Sequence, residues 1–483
     1  MKRWIPLLVL CLGCGLAVAQ TGYKIEFQVK GWKDTTAYLG SYYGEQTRLN
    51  DTARVSSTGQ FFFDNSKKLP QGVYFIVLNK TKIFDFVVGA NQHFRIETSK
   101  DDYSKATVKN DLDNSLFFDN LKNNAERSKE ADPWIAILRD STLKDEQKKE
   151  AREKFSKISD QVMAYQKQVA EKNPTTVTAR LLKTTFKVEV PEAPKKANGT
   201  IDSTFQLRYY RQHFFDNFDL ADDALIRLPR PVYQEKVKEY LEKLYAPVPD
   251  TILSAIDGLV AKVRKNPETF KYLVWSCMFH YQNPEIMGLD EVFVRLYDKY
   301  FATGEMDFWI SASMKKSIKD YADKLRTSLV GKTGANLIMQ DINLQPKSMY
   351  DIKNKYTILW IYDPDCGHCK EETPKLVEFY TKNHTKFDFQ VFSVASDTSL
   401  QKMRNFIKTM KTEPWINVNG PRSYMEQHYS KLYYAESTPS IYILDRDHKI
   451  IAKKLPVKQL EDFFTRHEKF VQSRKSGVQK GTK

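Results

Sequence analysis

"DPDCGHCKEETP", residues 363–374, sets Cys366 and Cys369 with two residues between them in a chain with only five cysteines in 483 residues. The stretch follows YTILWIYD (356–363), a continuous apolar run of the kind that forms a strand buried on both faces. It opens KEETPKLVEFYTKN (370–383), whose apolar spacing is that of an amphipathic helix. The pair therefore stands at a strand-to-helix junction. A structural zinc site needs four ligands, commonly two such cysteine pairs, and here the nearest histidine, His368, lies between the sulfurs. A c-type haem anchor needs histidine directly after the second cysteine, where this chain has Lys370. An inert disulfide across two residues is strained, and strained disulfides are the labile ones. Thiol–disulfide exchange remains, with no metal and no cofactor beyond a redox-active Cys366–Cys369 disulfide.

Electrostatics favour that chemistry. A sulfur at the first turn of a helix meets unpaired N–H groups and the positive end of the helix dipole, which stabilise a thiolate. Cys366 is then the attacking sulfur and Cys369, one turn along, the resolving one. His368, when protonated, favours the Cys366 thiolate further, and a stabilised reduced form makes a more oxidising couple. The flanking sequence alternates strand and helix. NLIMQDIN (336–343) and DFQVFSVASD (388–397) read as strands, and SLQKMRNFIKTMK (399–411) reads as a helix. STPSIYILDRDHKIIAKK (437–454) reads as a hairpin turning at Asp447 and His448, and VKQLEDFFTRHEKF (457–470) as a closing helix. Strand–helix–strand, then hairpin–helix, is the thioredoxin order.

On these residues the segment 331–470 resembles the thioredoxin-like domain of extracytoplasmic thiol–disulfide oxidoreductases of the TlpA/ResA type. The family pattern C-x-x-C-x-x-E-x-P is met by Cys366, Cys369, Glu372 and Pro374, and the opposing cis-proline loop by Thr438-Pro439. The resemblance implies that Glu372 lies near the buried cysteine and handles its proton. It also implies that Pro374 kinks the helix and that the Thr438 backbone pairs with substrate. Two positions depart from the family. Asp365 stands where a tryptophan is usual, and its carboxylate is expected to raise the Cys366 pKa and oppose His368. Trp360 occupies the place of thioredoxin's buried aspartate, while Gly367-His368 is the dipeptide of protein disulfide isomerase.

The N-terminus bears an export pattern. MKRW is basic, IPLLVLCLGCGL apolar, and AVAQ offers a small-x-small cleavage site after Ala19. Cys14, preceded by Gly13, offers a lipoprotein alternative, but Cys11 stands where that motif wants an aliphatic residue. No second long apolar run follows, so a periplasmic chain with no transmembrane segment after cleavage is expected. The net charge is +15, or +13 without Lys2 and Arg3, and the basic residues are interspersed with acids, which speaks against a nucleic-acid partner.

Behind this signal (1–19), period-two alternation predicts a β-sandwich domain over 20–108, from YKIEFQVKG, TAYLGSYYG, GQFFFDN, GVYFIVLN, IFDFVVG and QHFRIET. Helical spacing predicts an all-α domain over 109–330, in which Cys277 is read as a buried free thiol and His280 as an ordinary histidine. His93 reads as ordinary strand surface. These front regions resemble domains of unknown function that precede thioredoxin modules in Gram-negative bacteria. Residues 471–483 read as a disordered basic tail.

The function expected is disulfide exchange with protein thiols and disulfides, as a reductant, with a membrane electron donor of the thiol-reductase type. Two alternatives stay open: a thiol peroxidase of the same fold, and a binding or scaffold protein with an incidental redox module. The export pattern predicts a mature N-terminus at Gln20. Mass spectrometry of the exported protein checks this, and a diacylated Cys14 would contradict it.

Overall fold

The computed structural model of the protein describes residues 22–480, with side chains described as far as Ser473. The export segment 1–19, the cleavage position before Gln20 and Cys14 lie outside the described residues. The chain divides into two compact units, one made of residues up to Tyr240 with Lys262–Phe270, the other of Leu241–Ala261 with residues from Lys271 onward. The helical block expected over 109–330 is thus shared between them.

In the first unit, β1 (Tyr23–Lys30), β4 (Gln60–Asn65), β7 (His93–Ser99) and β8 (Asp102–Lys109) form a sheet in the order β4-β1-β7-β8. The strands β2 (Thr36–Tyr43), β3 (Gln46–Arg54), β5 (Gly72–Leu78) and β6 (Thr81–Val88) form a second, in the order β3-β2-β5-β6. Alternating side chains of β1 point inward, and Phe27 stacks on Phe61 of its own sheet and meets Phe86 of the other edge-on at 5.1 and 5.3 Å. On the outer face of this second sheet, Gly40 of β2 leaves room for the Phe75 ring of β5, since a Cβ there would lie 2.3 Å from it. Of the eight strands, β3 and β8 are additional to those the alternation predicts. Both are edge strands with mostly exposed polar residues, which carry no period-two signal.

The helices α1 (Leu112–Arg139), α2 (Lys149–Lys172), α3 (Val177–Lys183) and α4 (Phe205–His213) follow. Asp111 caps α1 by accepting the Asn114 N–H at 2.8 Å. The buried Asn114 amide in turn pairs with both backbone groups of Val87 in β6, at 2.7 Å each. Further along the chain come α5 (Val232–Leu244), α6 (Pro249–Val263), α7 (Pro267–His280), α8 (Asp290–Leu296) and α9 (Ala312–Arg326). Cys277 is a buried free thiol of α7, as expected. The His280 Nε2 lies 2.9 Å from a Glu242 carboxylate oxygen.

The second unit contains a mixed seven-stranded sheet, in the order β10-β9-β13-β12-β11-β14-β15. Its strands are β9 (Ile338–Asp341), β10 (Pro346–Ser348), β11 (Tyr356–Tyr362), β12 (Phe389–Ala395), β13 (Ile416–Ser423), β14 (Ser440–Asp445) and β15 (Ile450–Lys453). Every residue of β11 is buried, between parallel β12 and antiparallel β14. Its even-numbered apolar side chains Tyr356, Ile358, Trp360 and Tyr362 join one core with residues of α10 (Gly367–Phe387), α11 (Leu400–Met410) and α13 (Leu460–Lys480). Leu359 and Ile361 join the other core, with Tyr429 of α12 (Tyr429–Leu432). The fold is therefore β-rich at the N-terminus, helical in the middle and thioredoxin-like α/β at the C-terminus. The expected disordered tail is corrected in part: α13 continues to Lys480, since no proline interrupts the helical pattern after Leu460.

One buried ion pair ties α8 to β15. Lys453 Nζ pairs with the Asp290 carboxylate and donates to the Ser328 carbonyl at 2.9 Å. Burial pushes the Lys453 ammonium below its ordinary pKa, and Asp290 opposes that fall. Removing one partner leaves an uncompensated buried charge, so Asp290→Ala is expected to destabilise by about 3 kcal/mol. The double variant Asp290→Leu/Lys453→Met should recover most of that loss. Urea denaturation of the four proteins decides, and equal losses in the single and double variants would contradict the role given to the pair.

Candidate functional site

The junction between β11 and α10 is built by Asp363, Pro364 and Asp365. The Asp363 carboxylate accepts the Asp365 N–H at 2.8 Å and the Ser396 hydroxyl at 3.0 Å, which fastens the turn to the end of β12. Cys366 follows as the N-cap of α10 in extended conformation, without a side-chain oxygen to cap the first turn. The amides that a serine or aspartate would cap therefore face the sulfur. Partial burial raises the Cys366 thiol. The N–H groups of Cys369 and His368, the Thr438 side chain and the Cys369 thiol outweigh this and hold it below the ordinary cysteine value. Cys369, one turn on, is fully buried in the core beside Trp360. Burial pushes it up to about 12, opposed in part by the Asp363 N–H 3.5 Å from its sulfur.

The loop before β14 closes the site. The Thr438–Pro439 peptide bond is cis, and the Cys366 thiol donates to the Thr438 carbonyl at 3.4 Å. The Thr438 side chain also stabilises the thiolate form of both cysteines. Thr438, Pro439, Cys366 and Cys369 are thus brought together. The His368 imidazole is exposed, and it is the His368 backbone that acts on Cys366.

The Asp365 carboxylate, expected to raise Cys366, is not among the leading influences on that thiol. Its carboxylate is paired with Lys402 of α11 at 2.7 Å, and Lys402 also binds Asp397 at 2.9 Å. The net displacement of the Cys366 pKa is downward. Glu372 is half-buried and held by Lys375 at 2.6 Å. It lines a cleft of about 950 Å³ together with Trp360 and Pro439. Burial and the Asp363 N–H lead the influences on Cys369, and Glu372 does not appear among them. Pro374 lies inside α10, which remains one helix. The Trp360 indole N–H has no hydrogen-bond partner among the described residues.

Sequence reasoning missed Lys402, Asp397, Ser396 and the Thr438 hydroxyl. Asp363 was legible in principle, since an aspartate that can accept the N–H two residues on is a turn former. Lys402 carries no local signal, because only the fold brings it to Asp365. No cluster of three or more His, Cys, Asp or Glu able to hold a metal ion occurs among the described residues.

A dithiol at a helix N-terminus, facing a cis-proline loop across a mixed sheet, defines the thioredoxin class. Residues 354–450 match the family model described as thioredoxin-like, and the chain carries a thioredoxin-like domain at its C-terminus. Ahead of it, residues 23–117 and 144–324 match two domains of unknown function, DUF4369 and DUF5106. Among solved structures, the chain is similar to a domain of a possible thiol-disulfide isomerase from Cytophaga hutchinsonii. The two are 35% identical, with 30% of this chain and 97% of that one covered and a TM-score of 0.28. It is also similar to a thioredoxin-like protein from Bacteroides caccae, at 16% identity, with 58% and 100% of the two chains covered and a TM-score of 0.45. A thiol:disulfide interchange protein from Bacteroides sp. is 24% identical, with 30% and 92% covered and a TM-score of 0.26. No curated protein matches the chain.

The two sulfurs should titrate apart. A lowered pKa exposes the Cys366 thiolate at lower pH, whereas a raised one keeps Cys369 protonated as pH rises. In the folded, reduced protein, Cys366 is expected to alkylate at lower pH than an ordinary cysteine thiol, while Cys369 and Cys277 resist to well above it. Peptide mapping after iodoacetamide treatment across pH reads this directly. Equal labelling of Cys366 and Cys369 near neutrality would contradict it.

Proposed function

We propose that the protein is a periplasmic thiol–disulfide oxidoreductase that reduces selected polypeptide disulfides through Cys366 and Cys369. The observation that carries this reading is the asymmetry of the pair: a partly exposed Cys366 sulfur at a helix N-terminus, 3.4 Å from the Thr438 carbonyl, backed by a buried Cys369. In the first step the Cys366 thiolate attacks one sulfur of the substrate disulfide. The substrate S–S bond breaks, a mixed disulfide forms, and the first substrate thiolate leaves and takes up a proton. Cys369 then gives up its proton, which the second substrate sulfur takes up as it leaves, and attacks the Cys366 sulfur. The mixed disulfide breaks, the second substrate thiol departs, and the protein is left with the Cys366–Cys369 disulfide. Two electrons have passed from the dithiol to the substrate.

In this reading Cys366, Cys369 and Glu372 serve the chemistry. The Thr438 and Pro439 backbone receives the substrate strand, and His368 and Asp365 tune the thiolate, Asp365 with its charge matched by Lys402. Each turnover consumes the dithiol, so a thiol-reductase donor at the membrane is the partner that restores it. The export pattern at residues 1–19 supports the location. No helix among the described residues is long and apolar enough to cross a membrane.

If Cys369 resolves the intermediate, Cys369→Ser should accumulate reducible covalent adducts with cellular proteins through Cys366, while Cys366→Ser accumulates few. Non-reducing gels of both variants, with the adducts cut out and identified, make the comparison. An exported, folded Cys369→Ser protein that carries no adducts would defeat the exchange mechanism.

A further inference from the structure

The end of α9 reaches the chain that leads into the cis-proline loop. Lys324 Nζ forms an ion pair with Glu436. The Tyr321 ring meets Tyr434 edge-on, with centroids 5.7 Å apart and an interplanar angle of 83°. The Thr327 hydroxyl, just past the helix, donates to the Lys431 carbonyl at 3.0 Å. Three contacts therefore hold Lys431, Tyr434 and Glu436, and Thr438 follows two residues later. Tyr434 and Glu436 are at the same time part of the cleft that Trp360, Glu372, Pro439 and Lys454 line. Lys454 adds to this wall, with its ammonium 5.0 Å from the centre of the Tyr434 ring.

The helix making these contacts is itself fixed. Ser311 caps it by accepting the Met314 N–H at 3.2 Å, and Arg326 makes a two-pronged pair with Asp298 at 2.7 Å for each bond. The Tyr321 ring packs against Phe293 at 5.1 Å, and its hydroxyl donates to the Gln282 carbonyl at 3.1 Å. The Lys453–Asp290 pair anchors the neighbour of Lys454 on the same side. A wall held from behind by a rigid helix keeps one shape, and a loop left to itself would not. None of these α9 residues is among the groups that act on the two sulfurs.

We propose that the helical segment is a working part of the exchange site: through Tyr321 and Lys324, α9 positions the Tyr434–Glu436 wall of the cleft and so selects which polypeptide disulfides reach Cys366. The inference rests on the exchange reading and deepens it. Tyr321 and Lys324 are positioning residues. The ligand class is an extended polypeptide segment flanking a disulfide, long enough to lie along the cleft while its sulfur meets Cys366. A small symmetrical disulfide reacts at Cys366 without touching the wall. The two kinds of substrate therefore separate positioning from chemistry. Residues matched to DUF5106 end at Lys324, so the proposal gives the last helix of that domain a physical task.

The test uses the full mature protein, with insulin as the polypeptide disulfide and dithiobis(nitrobenzoate) as the small one, a dithiol regenerating the enzyme. Lys324→Glu reverses the charge opposite Glu436, and Lys324→Glu/Glu436→Lys restores the pairing in the opposite sense. Both side chains are about half exposed, so the fold should tolerate each change. Lys324→Glu is expected to raise KM for insulin about two- to fivefold, the scale of an exposed ion pair, with kcat and the small-disulfide rate unchanged. The double variant should return KM toward the wild-type value. An insulin KM unmoved by Lys324→Glu, or a KM not restored by the double variant, would overturn the positioning role. Loss of the small-disulfide reaction in Lys324→Glu would overturn it too, by showing damage to the sulfur chemistry. A wild-type protein inert toward both disulfides would instead bring down the exchange reading, and this inference with it.

Discussion

The first turn of an α-helix must find acceptors for its unpaired N–H groups, and at Gly367–Phe387 the group offered is sulfur. An oxygen-bearing N-cap would satisfy those donors permanently, and the site would be inert. With Cys366 at the N-cap they are satisfied best when the thiol has lost its proton, so helix capping and thiolate stabilisation become the same interaction. The remainder of the domain serves this arrangement. β11 is buried along its whole length and delivers the turn to a fixed point, and Asp363 ties the turn to Ser396. The core behind α10 swallows Cys369 one turn later. Two cysteines three positions apart thus acquire opposite environments from one helix.

The charges around the turn show how a local cost is met at a distance. Asp365 places a carboxylate next to a sulfur whose other neighbours favour the thiolate, which taken alone is unfavourable. Lys402, brought in by α11, neutralises it and binds Asp397 as well. In the same way, the loop carrying Thr438 is contacted from outside the thioredoxin-like domain, by Lys324, Tyr321 and Thr327. Both arrangements join residues far apart in sequence that share no periodicity or motif.

Legibility followed physical signal strength. Buried strands such as β1, β5 and β11 announce themselves through alternation or continuous apolar runs. The edge strands β3, β8 and β10 are polar and short of pattern, and β13 (INVNGPRS) contains Gly420 and Pro421, which read as a turn. Their strand character comes from the neighbour they pair with. The split of the helical block between two compact units was equally hidden, since an amphipathic helix reveals which face it buries but not against what. The closing helix runs beyond the expected end at 470, because a segment that resembles a tail in composition can still continue a helix.

What the sequence determined alone was whatever depends on near neighbours: the C-x-x-C pair at a strand-to-helix junction, the proline that opposes it, and the runs β11–α10–β12 and β14–β15–α13 of the C-terminal domain. Tertiary structure decided everything set by through-space distance. It paired Asp365 with Lys402 and Glu372 with Lys375, buried Cys369, and turned the Thr438 carbonyl toward the Cys366 sulfur. A pKa or an ion pair depends on which groups stand within a few ångströms, and for residues 37 or 72 positions apart only the folded chain sets that distance.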